Sequence, residues 1–320
     1  MELLSYALRK LIGGIPLILG VTLISFVLMV YFGPDKTFEL LSKNPTEAEI
    51  AQVRAQLGYD RPFIVRYADY LREMATHDFG FSDSTGERVH SILLRTIPVS
   101  LALLAPGFIL GNLLGIVLGL IAAWYRGGWV DRLIMAGAVV GMSISFLVVI
   151  VAFQALFGVV LGWFPVRGWA VHDLSSYIHY VTVPTLASVF VALGYNTRFF
   201  RAVLVEEINR DHVRTARAFG AKPTEILYRN VLMNAMIPIV TRILFSIPLI
   251  VVSGSLLIES YFGIPGIGKV TFDAITSGDQ PVLKAVVSLT AVMFVLILIA
   301  TDILYRAVDP RVSLSGNANA

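Results

Sequence analysis

Long runs without a single charged side chain constrain this sequence more than any other feature. Residues 11–32 contain no Asp, Glu, Lys or Arg. A helix of that length, rising ~1.5 Å per residue, crosses the roughly 30 Å hydrocarbon core of a bilayer. Similar apolar stretches recur at 98–124, 133–163, 181–204, 238–258 and 281–305. Inside a bilayer every backbone N–H and C=O must be bonded within the protein, so runs of this kind are read as helices. The expectation is an all-α polytopic membrane protein with six transmembrane helices. Composition agrees: 56% of residues are hydrophobic and 15% charged, where a soluble surface needs about a quarter charged. The first run exceeds the ~7–15 residues of a signal-peptide core, and no A-x-A site follows it, so it reads as a retained span.

The remaining bounds are exclusions. There is no cysteine, so no disulfide framework, thiolate metal site or catalytic thiol is expected. Net charge is +3, and the basic residues cluster at span ends, which is not a nucleic-acid signature. No G-x-S-x-G or H-E-x-x-H occurs, so no catalytic residue is assigned. His172 and His179, with Asp173 between them, lack a third partner and read as surface positions, leaving no metal site.

Between the spans lie polar segments of different character. Residues 1–10 end in Arg9-Lys10. Residues 33–97 mix acids and bases, and Thr46 with Glu49 forms a capping box for a helix over 47–57 that Gly58 ends. A second amphipathic helix follows over 62–75. Residues 125–132 are a tight basic turn, 205–237 a basic helical loop, 259–280 an outer loop, and 306–320 a tail. Once the long 33–95 region is set aside, most of the Lys and Arg fall on the side holding both termini. The positive-inside rule then places both termini in the cytoplasm.

Several motifs need weighing. Gly107, Gly111, Gly115 and Gly119 recur every four residues, which leaves one helix face bare for close packing against another helix. Gly137 and Gly141 repeat the spacing once. Residues 263–269 satisfy G-x-x-x-x-G-K, but Val270 stands where a phosphate-binding loop needs Ser or Thr, and the stretch follows a span rather than a strand. It reads as a turn-rich element that re-enters or caps the outer mouth. Asp302 pairs locally with Arg306. Asn112, Gln154 and Asn196 either line a water path or bond between helices.

The loop 206–238, EEINRDHVRTARAFGAKPTEILYRNVLMNAMIP, organises the rest. It reads as two short helices around a break, with Gly220 as C-cap and Pro223 in the first turn of the second helix. Leu227 with Val231, and Tyr228 with Leu232, fall four apart on its apolar side. Asp211, Arg214, Thr215, Ala216, Arg217, Ala218, Gly220, Arg229-Asn230 and Ile237-Pro238 resemble the coupling ("EAA") loop of ABC-importer permeases of the dipeptide/oligopeptide/nickel family. Arg214 stands where the general version has Glu, so the usual carboxylate contact is not carried over. Leu57–Pro62, Asp78-Phe79-Gly80, and Glu259, Phe262, Pro265, Gly266 and Gly268 also match that family, while Gly33-Pro34-Asp35 departs from its usual Pro-Gly-Asp-Pro.

The resemblance implies a type I ABC importer permease fold in a bacterial inner membrane, with lipid around it. It implies a second permease subunit in a heterodimer, two cytoplasmic ABC ATPase subunits and a periplasmic substrate-binding protein. ATP and magnesium would sit on the ATPase subunits, and this chain would bind no cofactor. Asp211 to Gly220 and Pro223 would couple to the ATPase, with Phe219 and Ala216 entering its cleft. Glu259, Phe262, Pro265, Gly266 and Gly268 would form a periplasmic gate or binding-protein contact. The alternatives are a stand-alone secondary transporter or channel, which predicts paired intramembrane charges, and a membrane-anchored enzyme, which predicts a convergent catalytic set. Neither feature is visible in the sequence.

Overall fold

The structure is a computed structural model that describes residues 2–32, 37, 46–56, 58–251 and 255–308. Gly33-Pro34-Asp35, Leu57, residues 252–254 and the tail from 309 lie outside the described residues, as do the side chains of Arg9, Lys10, Asp302 and Arg306. The described residues form helices α1 (Glu2–Phe32), α2 (Glu47–Gln56), α3 (Phe63–Thr76), α4 (Val89–Trp124), α5 (Trp129–Ser143), α6 (Phe146–Phe153), α7 (Leu174–Ile208), α8 (Asp211–Ala218), α9 (Pro223–Glu225), α10 (Met233–Leu249), α11 (Ser255–Phe262), α12 (Ile267–Ser277) and α13 (Gln280–Val308). π-helical segments follow α6 at Gln154–Val160 and join α9 to α10 at Ile226–Leu232.

Among the described residues five stretches are long and apolar enough to cross a membrane: Gly13–Tyr31, Val89–Trp124, Leu174–Ile208, Pro223–Pro248 and Gln280–Thr301. α5 and the α6 segment make a sixth if counted as one span, but they bend by 94° at the Ser143–Phe146 break. The periodicity of 133–163 does not reveal that bend, because both arms are equally apolar. Large side chains on the helix exteriors, such as Ile24, Leu94, Ile109, Leu113 and Val148, are exposed. An exterior of that kind is stable against acyl chains and not against water.

The chain divides into two compact units. In the first, Met1–Arg95 with Val270–Leu296, α2 begins with the expected capping box. The Thr46 hydroxyl accepts from the Glu49 N–H at 3.3 Å, and the Glu49 carboxylate accepts from the Thr46 N–H at 2.8 Å. α3 turns its apolar face inward. Tyr70, wholly buried, stacks on Phe26 at 5.7 Å and bonds Ser288 Oγ at 3.3 Å. Lys284 Nζ pairs with Glu73 at 3.0 Å. Asp279, just before α13, accepts from the hydroxyls of Ser82 and Ser84 and from the Ser84 N–H. These bonds tie the polar segment before α4 to the turn between α12 and α13.

In the second unit, Thr96–Lys269 with Ile297–Ala320, α4 and α7 cross along the glycine stripe. A Cβ added at Gly107, Gly111 or Gly115 would come within 2.9 Å of Ser188, Ala192 or Asn196, and one at Gly119 would meet Phe200 Cβ at 3.0 Å. The contacts step along α7 four residues at a time, as close packing along one helix face requires. α5 makes a second close crossing, where Gly194 of α7 faces the backbone of Ala138, Gly141 and Met142. A Cβ added at Gly137 would meet nothing within 4 Å, so Gly137 takes no part in the crossing. One apolar core joins Leu103, Ile150, Val183, Ile258 and Phe262; another joins Phe200, Leu204, Val213, Ile226, Val231 and Ile239.

Candidate functional site

The basic loop forms a stiff projection from α7. α7 ends at Ile208, and Arg210 is extended (ψ 155°), so the chain turns before α8 begins. Val213, wholly buried, plugs α8 into the second core. Glu207, almost wholly buried, forms an ion pair with Arg210, its carboxylate 3.1 Å from Nε, and lies 3.3 Å from His212 Nε2. His212 Nε2 also lies 3.0 Å from Asn230 O, and Asn234 Nδ2 lies 3.2 Å from His212 Nε2. Arg217 lies over the Trp124 ring at 5.9 Å. α8 stops at Phe219, and Gly220 takes φ +79°, a left-handed value that side chains disfavour. Pro223 opens α9.

The loop's expected residues separate into two faces. Asp211, Arg214, Thr215, Arg217, Ala218, Phe219 and Gly220 are exposed, Phe219 to 87%. Ala216 instead packs against the second core, so of the two residues expected in an ATPase cleft it faces its own chain. The pairs four apart also need revising. The segment Ile226–Leu232 is π-helical, and its buried positions are Ile226 and Val231, five apart, while Tyr228 is exposed. A π turn widens the repeat by one residue, which helical periodicity of 3.6 does not register.

Sequence reasoning missed one pair. Asp131, buried at the start of α5, takes Arg201 in a two-pronged contact, Nε to Oδ1 at 2.6 Å and a terminal nitrogen to Oδ2 at 2.7 Å, and accepts from the Gly127 N–H at 2.9 Å. It fastens the tight turn to α7 one helical stretch before the projection. A lone carboxylate between Arg126 and Arg132 was the available signal.

The stretch expected as an outer loop is largely helical. α11 and α12 meet at a turn over 263–266, and Glu259 is wholly buried beneath it. The Glu259 carboxylate accepts from the Lys269 N–H at 3.0 Å and is bonded by Gly268 N–H and the Ser100 hydroxyl. Ser100 Oγ accepts from the Ile267 N–H at 2.7 Å. The first N–H groups of α12 are thus capped from within the protein. A methyl on Gly266 would overlap the Glu259 carboxylate and Ser100, and one on Gly268 would overlap the Ser255 backbone. The Walker-like spacing therefore has another use: its amides already hold a carboxylate where a phosphate would go. Burial pushes the Glu259 carboxyl up to about 7, against the lowering effect of Ser100, Lys269 and Gly268. Phe262 joins the first core, and Gly168 N–H donates to its carbonyl at 2.7 Å.

Of the uncharged polar residues, Asn196 Nδ2 donates to Asn112 Oδ1 at 3.1 Å, bridging α7 and α4, and both border a cavity of about 370 Å³. Gln154 Nε2 donates to the carbonyls of Val166 and Tyr261, so it ties the loop before α7 to α11. His179 packs beside Phe164 at 5.5 Å, and no group of three or more metal-ligand residues occurs among the described residues.

Comparison with known proteins places this geometry. The family described as binding-protein-dependent transport system inner membrane component matches residues 115–314, and its N-terminal companion matches residues 3–104. A glutathione transport system permease protein of Salmonella typhimurium (strain LT2) is 33% identical over 97% of this chain and 99% of its own length. A probable peptide ABC transporter permease protein of Sinorhizobium fredii (strain NBRC 101917 / NGR234) is 29% identical over 96% of this chain and 98% of its own. A chain of the MetNI methionine ABC transporter, solved in inward-facing conformations, shares the fold with a TM-score of 0.54 at 22% identity, over 68% of this chain and 97% of that one. The chain belongs to the binding-protein-dependent transport system inner membrane component family: it is a multi-pass, non-catalytic permease subunit of an ABC importer, with the type I fold.

Proposed function

We propose that this chain forms half of an ATP-driven route for peptides or a similar small solute such as glutathione, delivered by a periplasmic binding protein. A second, different permease subunit completes the route, and two cytoplasmic ATPase subunits, holding ATP and magnesium, dock on the projection 205–237. Both termini face the cytoplasm on this reading. The exposed residues Asp211, Arg214, Thr215, Arg217, Ala218, Phe219 and Gly220 meet the ATPase, and Pro223 fixes the angle of departure. The α11–α12 element, with Glu259, Phe262, Pro265, Gly266 and Gly268, lies toward the binding protein. The names of the relatives support the solute class.

The observation that carries the reading is the mechanical form of the projection. Val213 and Glu207 root it in the core, while Phe219 stands free at 87% exposure on the tip of an eight-residue helix. A large apolar side chain held rigidly in solvent is the anchor expected of a docking contact. The test is ATP hydrolysis by the assembled complex. Phe219→Asp should reduce hydrolysis stimulated by the loaded binding protein at least tenfold, since burying an unpaired carboxylate in an interface costs several kcal/mol. Because Phe219 is exposed in this chain, the variant should melt within ~0.5 kcal/mol of the parent. Undiminished stimulation would remove the docking role.

A further inference from the structure

A charged side chain on an apolar helix needs a partner, and Arg242 lacks one. It lies on α10 within the apolar stretch Pro223–Pro248. Among the described residues it makes no ion pair and no hydrogen bond, and its buried Nε has no acceptor. Its contact is with the Phe199 ring, 4.9 Å from the guanidinium carbon. Stacking of that kind contributes about 1 kcal/mol, well short of the cost of a charge at membrane depth. Neighbouring arginines are used otherwise: Arg201 is taken by Asp131 and Arg210 by Glu207.

Arg242 borders the cavity of about 370 Å³ between α4, α7 and α10. Its polar lining comes from Asn112, Ser188, Tyr195, Asn196 and Ser246, and the rest is apolar. No Asp or Glu is among the described residues that line it. The volume falls in the range of small-ligand sites, roughly 300–1,000 Å³. Apart from Arg242, the donors there are already engaged. Ser188 and Ser246 spend their hydroxyl protons on their own helix carbonyls, and Asn196 donates to Asn112. Arg242 Nε is buried, and the terminal N–H groups of the guanidinium make no hydrogen bond among the described residues; such groups bond a carboxylate.

We propose that this cavity is an anion-receiving station in which Arg242 takes the carboxylate end of a passing small solute. The inference rests on the importer reading for the word "passing". A single guanidinium without a second cation holds a carboxylate weakly enough to release it, which a transport step requires. The Asn112–Asn196 bridge supplies the neutral polar wall opposite.

The absence of cysteine from the sequence makes a direct test available. Ser246→Cys, and separately Ser188→Cys, places a lone thiol of this chain in the cavity of the assembled transporter. Labelling rates are read by mass on this chain for an anionic and a cationic methanethiosulfonate reagent of similar size. The anionic reagent should react faster, and Arg242→Gln should lower the anionic-to-cationic rate ratio at least about tenfold, whereas Arg242→Lys should largely keep it. Acetate, but not acetamide, should slow the anionic reagent in the Arg242 background alone. An unchanged ratio in Arg242→Gln, no acetate effect, or thiols inert at both positions would overturn the station. The labelling needs neither ATP nor a known solute. Failure of the charge preference therefore leaves the importer reading intact, and failure of ATP-driven uptake leaves the charge preference standing.

Discussion

Two turns in this chain are built from the same parts and end in opposite surroundings. At the projection, a helix ends in Phe219-Gly220 and Pro223 starts the next; at the α11–α12 element, a helix ends in Phe262-Gly263 and Pro265-Gly266 precede the next. In the first, Phe219 is exposed and a Cβ on Gly220 would meet nothing within 4 Å. In the second, Phe262 is buried and Gly266 and Gly268 lie against Glu259, Ser100 and Ser255 with no room for a side chain. Gly220 is needed for its backbone angle, Gly266 and Gly268 for their missing side chains. A turn of the first kind presents a contact to another molecule; one of the second kind is itself part of the core.

The comparison breaks first at Gly266. Gly266→Val should destabilise the chain by at least about 3 kcal/mol, since the added atoms collide with a buried carboxylate that has no open side to move toward. Thermal unfolding in detergent reads the loss. Glu259→Ala should restore part of it in the double variant, because it clears the colliding atoms. A Gly266→Val protein as stable as the parent would mean that the turn is not packed as described.

The buried turn should also respond to pH. Burial raises the Glu259 carboxyl from 4.5 to about 7. Above the ordinary carboxylate range the unfolded chain is already ionised while the folded one holds its proton. The folded state therefore binds more protons between roughly pH 4.5 and 7, and stability falls as pH rises across that window. The ceiling is about 3 kcal/mol, at 1.36 kcal/mol per pKa unit. Asp279 goes the other way: burial raises it, but Ser82 and Ser84 together hold it below the usual range. Its contribution is present above the unfolded value and is lost as pH falls toward the folded one, outside the Glu259 window. Melting at pH 5 and pH 8 should thus differ in the parent and differ much less in Glu259→Gln; equal slopes would assign the effect elsewhere.

What the sequence could and could not say follows from the range of each signal. Charge-free runs are local, so residues 11–32, 98–124 and 285–301 announce membrane helices by themselves. The Gly107–Gly119 repeat is local too, but its partner positions on α7 are not, and only coordinates pair Gly111 with Ala192. The projection's outline was legible because Gly220 and Pro223 punctuate it; its inner face was not, because the π turn moves burial to Ile226 and Val231. The 94° bend after Ser143 leaves no mark in hydropathy. Asp131–Arg201 and Glu259–Lys269 join residues 70 and 10 positions apart.

The smallest expected effect sharpens the comparison from the exposed side. Gly220→Ala adds a methyl into open space, so the cost is the left-handed backbone alone, about 1 kcal/mol. Asn tolerates that conformation better than Ala, so Gly220→Asn should fall between the parent and Gly220→Ala in melting temperature. At Gly266 the order should differ. There side-chain volume decides, so Asn should be worse than Ala, because its larger side chain meets Glu259 and Ser100 first. The pair of series, three residues at each of two glycines, distinguishes a backbone requirement from a space requirement by rank order alone. Ala outranking Asn at both positions would show that Gly220 is also crowded, by a partner chain if the series is run on the assembled complex and not on the isolated subunit.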